Sequence, residues 1–255
     1  MNRLSPPKLL RRIVDSYYQR LGNTDVVALA RDRSIHIDWI LEAGCHDGSD
    51  TVNLSHSFHP VRYLAFEPDE TARSKAVALF ADKKLKNIEL YPFGLSNVDK
   101  KVFLKYEAEG KGSGSTHFSS EGEDSVNICI FDNHFEIIEK SGLLWLDVEG
   151  HAPQALEGMS RSLNLIAIAR VEVQLHTRNK DFVQDFNKVI KLMKDASLIP
   201  IYGPVHPAYF GDIIFARRSL LPLADQVRSK FLLLHLYFLH LLLYPLLRKP
   251  AKKYK

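Results

Sequence analysis

Carboxylates stand where three apolar runs end. Glu42 follows Trp39-Ile40-Leu41, Glu67 follows Tyr63-Leu64-Ala65-Phe66, and Asp147 and Glu149 follow Leu143-Leu144-Trp145-Leu146. Ionised carboxylates accept hydrogen bonds from hydroxyl and ammonium groups and take up protons, which suits them to hold polyols or zwitterions and to act as bases. Strand alternation sends Asp147 and Glu149 to the same side. His151 follows the third run and His176 follows the run carrying Glu172, and an imidazole with a reference pKa near ~6.5 suits a general base. Asp147, His151 and His176 are the catalytic candidates. For Glu149 a helix-capping role is the alternative, and for each histidine a surface or packing role.

Between the first two acids lies a turn, Gly44-Cys45-His46-Asp47-Gly48-Ser49-Asp50-Thr51. Its glycines let the backbone bend sharply and approach a ligand, and its polar residues can cap a following helix. Glu67 comes 23 residues after Gly44, near the roughly twenty-residue offset at which an acid ending a second strand grips an adenosine ribose. The spacing here is G-x-x-x-G, not the G-x-G-x-x-G of a pyrophosphate site, and carboxylates surround it. A zwitterionic nucleoside such as S-adenosylmethionine fits better than a dinucleotide. The expected cofactor-binding residues are Glu42, Gly44, Cys45, His46, Gly48, Thr51, Glu67 and Pro68, with Phe93 and Gly94 just after Ile88 to Pro92. His46 is expected to contact the cofactor through its backbone, its ring serving equally as a cap.

These motifs together resemble the FkbM-type S-adenosylmethionine-dependent methyltransferases. The resemblance runs from about Ile37 to Ala216 and rests on the Gly44 to Thr51 turn, on Phe66-Glu67-Pro68, and on Leu146-Asp147-Val148-Glu149-Gly150-His151 followed by Leu156-Glu157-Gly158. The chain departs from the family pattern at His46, where asparagine is usual, and at Ala152, where an acid is usual. The resemblance implies a Rossmann-like class I methyltransferase fold, S-adenosyl-L-methionine as cofactor, and methyl transfer to an oxygen of a sugar, glycan or similar hydroxylated small molecule. Two other readings stay open, a nicotinamide-dependent enzyme of the same fold and a catalytically silent cofactor-binding or interaction module.

The elements that must position these residues alternate along the chain. Strands are expected at Ile37 to Ala43, Val61 to Phe66, Ile88 to Pro92, Leu143 to Val148, Ile166 to Val173, Ile199 to Tyr202 and Asp212 to Ala216. Helices are expected at Thr51 to Phe58, Glu70 to Lys84, Pro153 to Leu163 and Asp181 to Ala196, and an amphipathic helix from Lys8 to Leu21 should cover a core edge. Such alternation gives an α/β fold, a largely parallel sheet with helices on both faces and the ligand outside the carboxyl ends of the strands. From Lys101 to Ile130 two short β-like runs flank a Gly/Ser-rich segment around Glu107 to His117, read either as a solvated connection or as a lid beside the methyl donor. The expected division is 1–34 as an N-terminal helical extension, 35–218 as the cofactor-binding domain and 219–255 as an apolar and basic helical tail.

Composition narrows the function classes. The chain has 255 residues, 45% hydrophobic and 25% charged, and its net charge of +4 is concentrated at its two ends, so the centre is not basic enough to read as a nucleic-acid surface. Two cysteines make neither a disulfide framework nor a thiolate metal cage, and no apolar signal run precedes Arg11-Arg12, so a cytoplasmic protein is expected. No metal is expected, although Asp147, Glu149, His151 and Glu172 offer oxygen and nitrogen ligands. A Gly-x-Ser-x-Gly hydrolase elbow is absent.

Phe231 to Leu247 is almost wholly apolar between basic ends, and 17 helical residues reach about 26 Å against the roughly 30 Å of a bilayer core. Periodicity places Lys230, Tyr237, His240, Tyr244 and Arg248 on one stripe and Leu232, Leu236, Leu239, Leu243 and Leu246 on another. A peripheral membrane helix, a helix packed on the domain or on a second subunit in a homodimer, and a true span are the three readings.

Overall fold

The computed structural model describes residues 26–58, 61–106, 110–112, 116–122, 124–174, 186–203 and 210–238. The helix expected over Lys8 to Leu21, the base candidate His176 and most of the apolar run from Phe231 to Leu247 lie outside the described residues. The main sheet has seven strands: β1 (Trp39–Ala43), β2 (Arg62–Phe66), β3 (Ile88–Tyr91), β8 (Gly142–Leu146), β9 (Ile166–Gln174), β10 (Leu198–Tyr202) and β11 (Phe210–Arg217). Their order is β10-β11-β9-β8-β1-β2-β3, parallel from β3 to β9, with β11 antiparallel to both its neighbours. The chain winds outward through β2 and β3, then returns to the other side of β1 with β8. That reversal between β1 and β8 is the topological switch at which α/β sheets open a crevice.

Alternation along the strands divides the core into two faces. Trp39, Leu41, Leu64, Phe66, Leu144 and Leu146 pack against α5 (Ala152–Gly158) and α6 (Phe186–Asp195). Ile40, Tyr63, Leu143 and Ile168 pack on the opposite face against α1 (Val26–Asp32), with Leu54 of α2 (Ser49–Ser57) closing the same cluster. α3 (Glu70–Asp82) lies beyond α2, its Ala76 and Phe80 against Val52. Pro153 falls in the first turn of α5 as expected, but that helix stops at Gly158 and a 3₁₀ turn, Ser162–Leu165, continues toward β9.

The third expected strand, Ile88 to Pro92, ends one residue early at Tyr91. Pro92 has no N–H to give a ladder, and after it β4 (Phe93–Leu95) leaves the main sheet for a second one with β5 (Lys100–Tyr106), β6 (Thr116–Ser119) and β7 (Asp124–Cys129). Its order is β4-β7-β5-β6. Along β5 the buried Val102 and Leu104 alternate with exposed Lys101, Phe103 and Lys105, the pattern of a sheet with one wet face. A short helix, α4 (Phe131–His134), leads back toward β8. The C-terminal helix α7 (Leu223–Phe238) starts eight residues before the apolar run that marks it in the sequence.

Candidate active site

A cavity of about 290 Å³ opens at the carboxyl ends of β1, β2 and β8, and the second sheet forms its far wall. Gly44, Cys45, His46, Glu67, Pro68, Phe93, Gly94 and Asp147 all line it. Backbone geometry explains the first. Gly44 sits at φ +81°, and a Cβ there would stand 1.7 Å from the carbonyl oxygen of Asp147. Only glycine lets β1 turn away so close to the end of β8. Across the cavity a Cβ on Gly94 would meet the ring of Phe118 at 2.3 Å, so that glycine sets the spacing of the far wall.

Glu67 is 7% exposed and its carboxylate is fixed by two backbone donors. His46 N–H donates to Oε2 at 2.8 Å and Asp69 N–H donates to Oε1 at 2.8 Å. Burial pushes its pKa up, and these donors oppose the shift. Each oxygen keeps a second lone pair for a ligand hydroxyl. The His46 N–H is thus committed to Glu67, and its ring reaches the carbonyl of Gly112, 3.0 Å from Nε2. That ring does not cap α2, whose N-cap is Gly48 at φ +82°. Lys75 Nζ donates to the same carbonyl at 3.2 Å, and Gly112 N–H donates to Asp69 Oδ2 at 3.0 Å. Asp69 also caps α3 through Thr71 N–H. One residue of the Gly/Ser-rich segment is therefore held against the cofactor turn.

Three expected cofactor residues stand behind the cavity wall. Glu42 is 1% exposed, and its Oε2 accepts from Thr51 Oγ1 and Tyr63 Oη, each at 2.6 Å. It ties β1, α2 and β2 together, and burial pushes its pKa up to about 7. Thr51 is its partner, and Gly48 packs against Phe80. The Cys45 thiol lies at the wall, but burial raises its pKa far above the ordinary thiol value and leaves it unreactive.

On the other side of the switch, Asp147 lies on the same face as Arg170, Glu172 and Asp212. Arg170 pairs in register with Trp145, stacks on its ring at 4.1 Å, donates to Asp212 Oδ2 at 2.7 Å and reaches Asp147 Oδ2 at 3.8 Å. One oxygen each of Asp147, Glu149 and Glu172 lie within 4.8 Å of one another. Burial, then the charges of Asp147 and Glu149, push Glu172 up to about 9, so it keeps its proton at neutral pH and donates it to Asp147. The spacing would admit a cation, but the shared proton relieves the repulsion without one. Glu149, at φ +46°, lines the cavity. Glu172 stands out in the sequence only as a possible metal ligand, and Arg170 and Asp212 carry no local signal, because what brings them to Asp147 is the register of neighbouring strands.

His151 is placed away from the lining. It is the N-cap residue of α5, its Nε2 lies 3.0 Å from Ser96 Oγ, and its ring meets Phe118 edge-on at 5.0 Å. Burial lowers its pKa to about 4. A half-buried, weakly basic imidazole held this way is a packing group at neutral pH.

A largely parallel α/β sheet with a backbone-held carboxylate and a glycine turn at its switch point is the architecture of a class I methyltransferase fold. The match of residues 42–198, more than half of the chain, to the Methyltransferase FkbM domain places the chain in the FkbM methyltransferase family. S-adenosylmethionine is the cofactor. Gly44, Glu67 and the apolar wall of Phe66, Phe93 and Leu95 fit such a ligand, with room for a nucleoside and a carboxylate aimed into it. No curated protein matches the chain. Among solved structures it is similar to the methyltransferase FkbM of Methylobacillus flagellatus KT (13% identity, TM-score 0.46, 70% of this chain and 43% of that one). It is also similar to a putative rRNA methylase of Clostridium thermocellum (12%, TM-score 0.46, 77% and 97%). A putative methyltransferase of Streptococcus mutans in complex with SAH is a third (13%, TM-score 0.44, 76% and 99%). The chain thus spans less than half of the Methylobacillus protein.

Proposed function

We propose that the protein methylates a hydroxyl oxygen of an uncharged sugar, glycan or other hydroxylated small molecule. The observation that carries this reading is the Asp147 carboxylate in the cavity wall, placed by β8, faced by Arg170 and hydrogen-bonded to protonated Glu172. S-adenosylmethionine supplies an activated sulfonium methyl, so alignment accounts for much of the acceleration and a base is needed only to take the hydroxyl proton. Asp147 is that base, and Glu172 and Arg170 hold its carboxylate in place. Phe66, Phe93, Leu95, Leu104 and Phe118 keep water from the reacting centre.

The charge of the cavity supports an uncharged acceptor. Among the described residues Asp47, Asp50, Glu67, Asp69, Asp147 and Glu149 line it, with no lysine or arginine. A phosphorylated or nucleic-acid acceptor would meet repulsion there.

The test is methyl transfer from labelled S-adenosylmethionine to a panel of neutral sugars and oligosaccharides, hydroxylated aromatics and total RNA, with products read by mass spectrometry. Methyl ethers on neutral hydroxyl compounds are expected. Label confined to RNA would overturn the reading, and tight cofactor binding with no product from any acceptor would favour the silent module.

A further inference from the structure

The outer face of α7 takes no part in the site. Leu223, Val227, Phe231 and Leu234 are 76%, 44%, 68% and 67% exposed, and Leu220, in the 3₁₀ turn just before, is 41% exposed. Steps of three and four residues put them on one stripe. The inner face is anchored. Asp225 and Ser229 are buried, Asp225 accepts from Arg33 Nε at 2.6 Å, and Leu232 and Leu233 pack on the core. Sequence periodicity had put Leu232 on the apolar stripe of an amphipathic tail, but the structure turns Leu232 inward and presents a different stripe that starts well before Phe231.

The charges beside this stripe decide what it fits. Arg218, Arg228 and Lys230 are exposed. From Gln226 to Lys255 the sequence has seven basic residues, Arg228, Lys230, Arg248, Lys249, Lys252, Lys253 and Lys255, and no acid. Two copies joined through this stripe would bring cations together with no carboxylate from that stretch between them. An anionic lipid surface offers both complements, an apolar boundary for the leucines and phosphates for the basic residues. No helix among the described residues is long and apolar enough to cross a membrane, so the described part of α7 would lie along the surface. We propose that the outer face of α7 docks the protein on an anionic membrane surface, with Leu223, Val227, Phe231 and Leu234 in the interfacial layer and Arg228 and Lys230 on lipid headgroups. This reading does not depend on the acceptor.

The full-length protein is to be sedimented with vesicles of phosphatidylcholine and of phosphatidylcholine mixed with phosphatidylglycerol. It should pellet with the anionic vesicles, stay in solution with the neutral ones, and lose much of its binding at high salt. Phe231→Glu combined with Leu234→Glu should lower partition at least about tenfold, with melting temperature and cofactor affinity unchanged because both side chains are exposed. Arg228→Glu with Lys230→Glu, which spares the stripe, should weaken binding and shrink its salt dependence, an independent reading if the first variant folds poorly. A wild-type protein that ignores both vesicles, or variants that pellet like the wild type, would overturn the proposal. So would a dimer in sedimentation velocity that becomes monomeric in the first variant while neither form binds vesicles.

Discussion

The two carboxylate centres of the cavity are built in opposite ways. Glu67 is held by backbone N–H groups of His46 and Asp69, donors that only a proline would remove and that do not titrate. Asp147 is held by the side chains of Arg170 and Glu172, one of which carries a proton it can lose. A backbone cage gives fixed geometry, which is what recognition needs. A side-chain cluster can change its charge during a reaction, which is what proton transfer needs. On the proposed function, the same difference divides the cavity into a binding side and a reacting side.

The largest effect should come from joining the two sides wrongly. Gly44→Ala places a Cβ against the Asp147 carbonyl in a left-handed conformation, so cofactor binding should be lost and the melting temperature should fall sharply, by calorimetry and thermal denaturation. A variant that binds the cofactor normally would show that β1 and β8 can part without harm. Next, Asp147→Asn should lower kcat by about two orders of magnitude or more while cofactor affinity stays near that of the wild type. Equal losses in both would make Asp147 a binding residue and dissolve the contrast. On the same side, Glu172 should give the wild-type rate profile an inflection near pH 9, absent from Glu172→Gln.

Glu67→Ala should do the reverse, weakening S-adenosylmethionine by about 1.5 to 3 kcal/mol, as expected for lost hydrogen bonds to a charged acceptor, with a smaller change in kcat. Isothermal titration decides it, and unchanged affinity would remove Glu67 from the ribose. The last prediction concerns stability alone and Glu42, behind the wall. Its folded pKa of about 7 lies above the ordinary carboxylate value of 4.5, so the folded state holds the proton more tightly than the unfolded one. Its contribution to stability is full below about pH 4.5 and is lost as pH rises toward 7. Glu42→Gln, which keeps an acceptor for Thr51 and Tyr63, should remove that slope, so that chemical denaturation shows the variant gaining on the wild type across this window by on the order of 3 kcal/mol. Parallel pH curves would place the Glu42 proton elsewhere.

The binding side was legible in the sequence because its parts are local. The Gly44 turn, the acid after β2 and the alternation of strands all follow from short-range patterning, and they place Gly44, Cys45, His46, Glu67 and Pro68 on one wall. The reacting side depends on which residues of neighbouring strands pair, Trp145 against Arg170 and Glu172 against Asp212, and no local pattern states that register. Glu42 and Thr51 read as ligand contacts in the sequence because a polar residue beside a glycine turn looks the same whether it faces the cavity or the core. His151 follows the same logic, since burial behind Phe118 is a tertiary fact. The second sheet was seen only as two β-like runs, because β4 is three residues long and its partner β7 is some thirty residues away.

Pro92 makes the cavity a joint between two separately built halves. One wall, from Gly44 to Pro68, is part of the main sheet, and the facing wall, from Phe93 through Leu104 to Phe118, belongs to a sheet that leaves the main one at a single residue and returns through α4. Residues 93 to 130 therefore form a cassette. Changes in its strand lengths or loops would reshape the space opposite Glu67 without shifting the register of β1, β2 or β8, provided that Phe93 and Leu95 at its start and Gly112 within it are kept. Directed evolution confined to that cassette is the natural route to new acceptors on this scaffold.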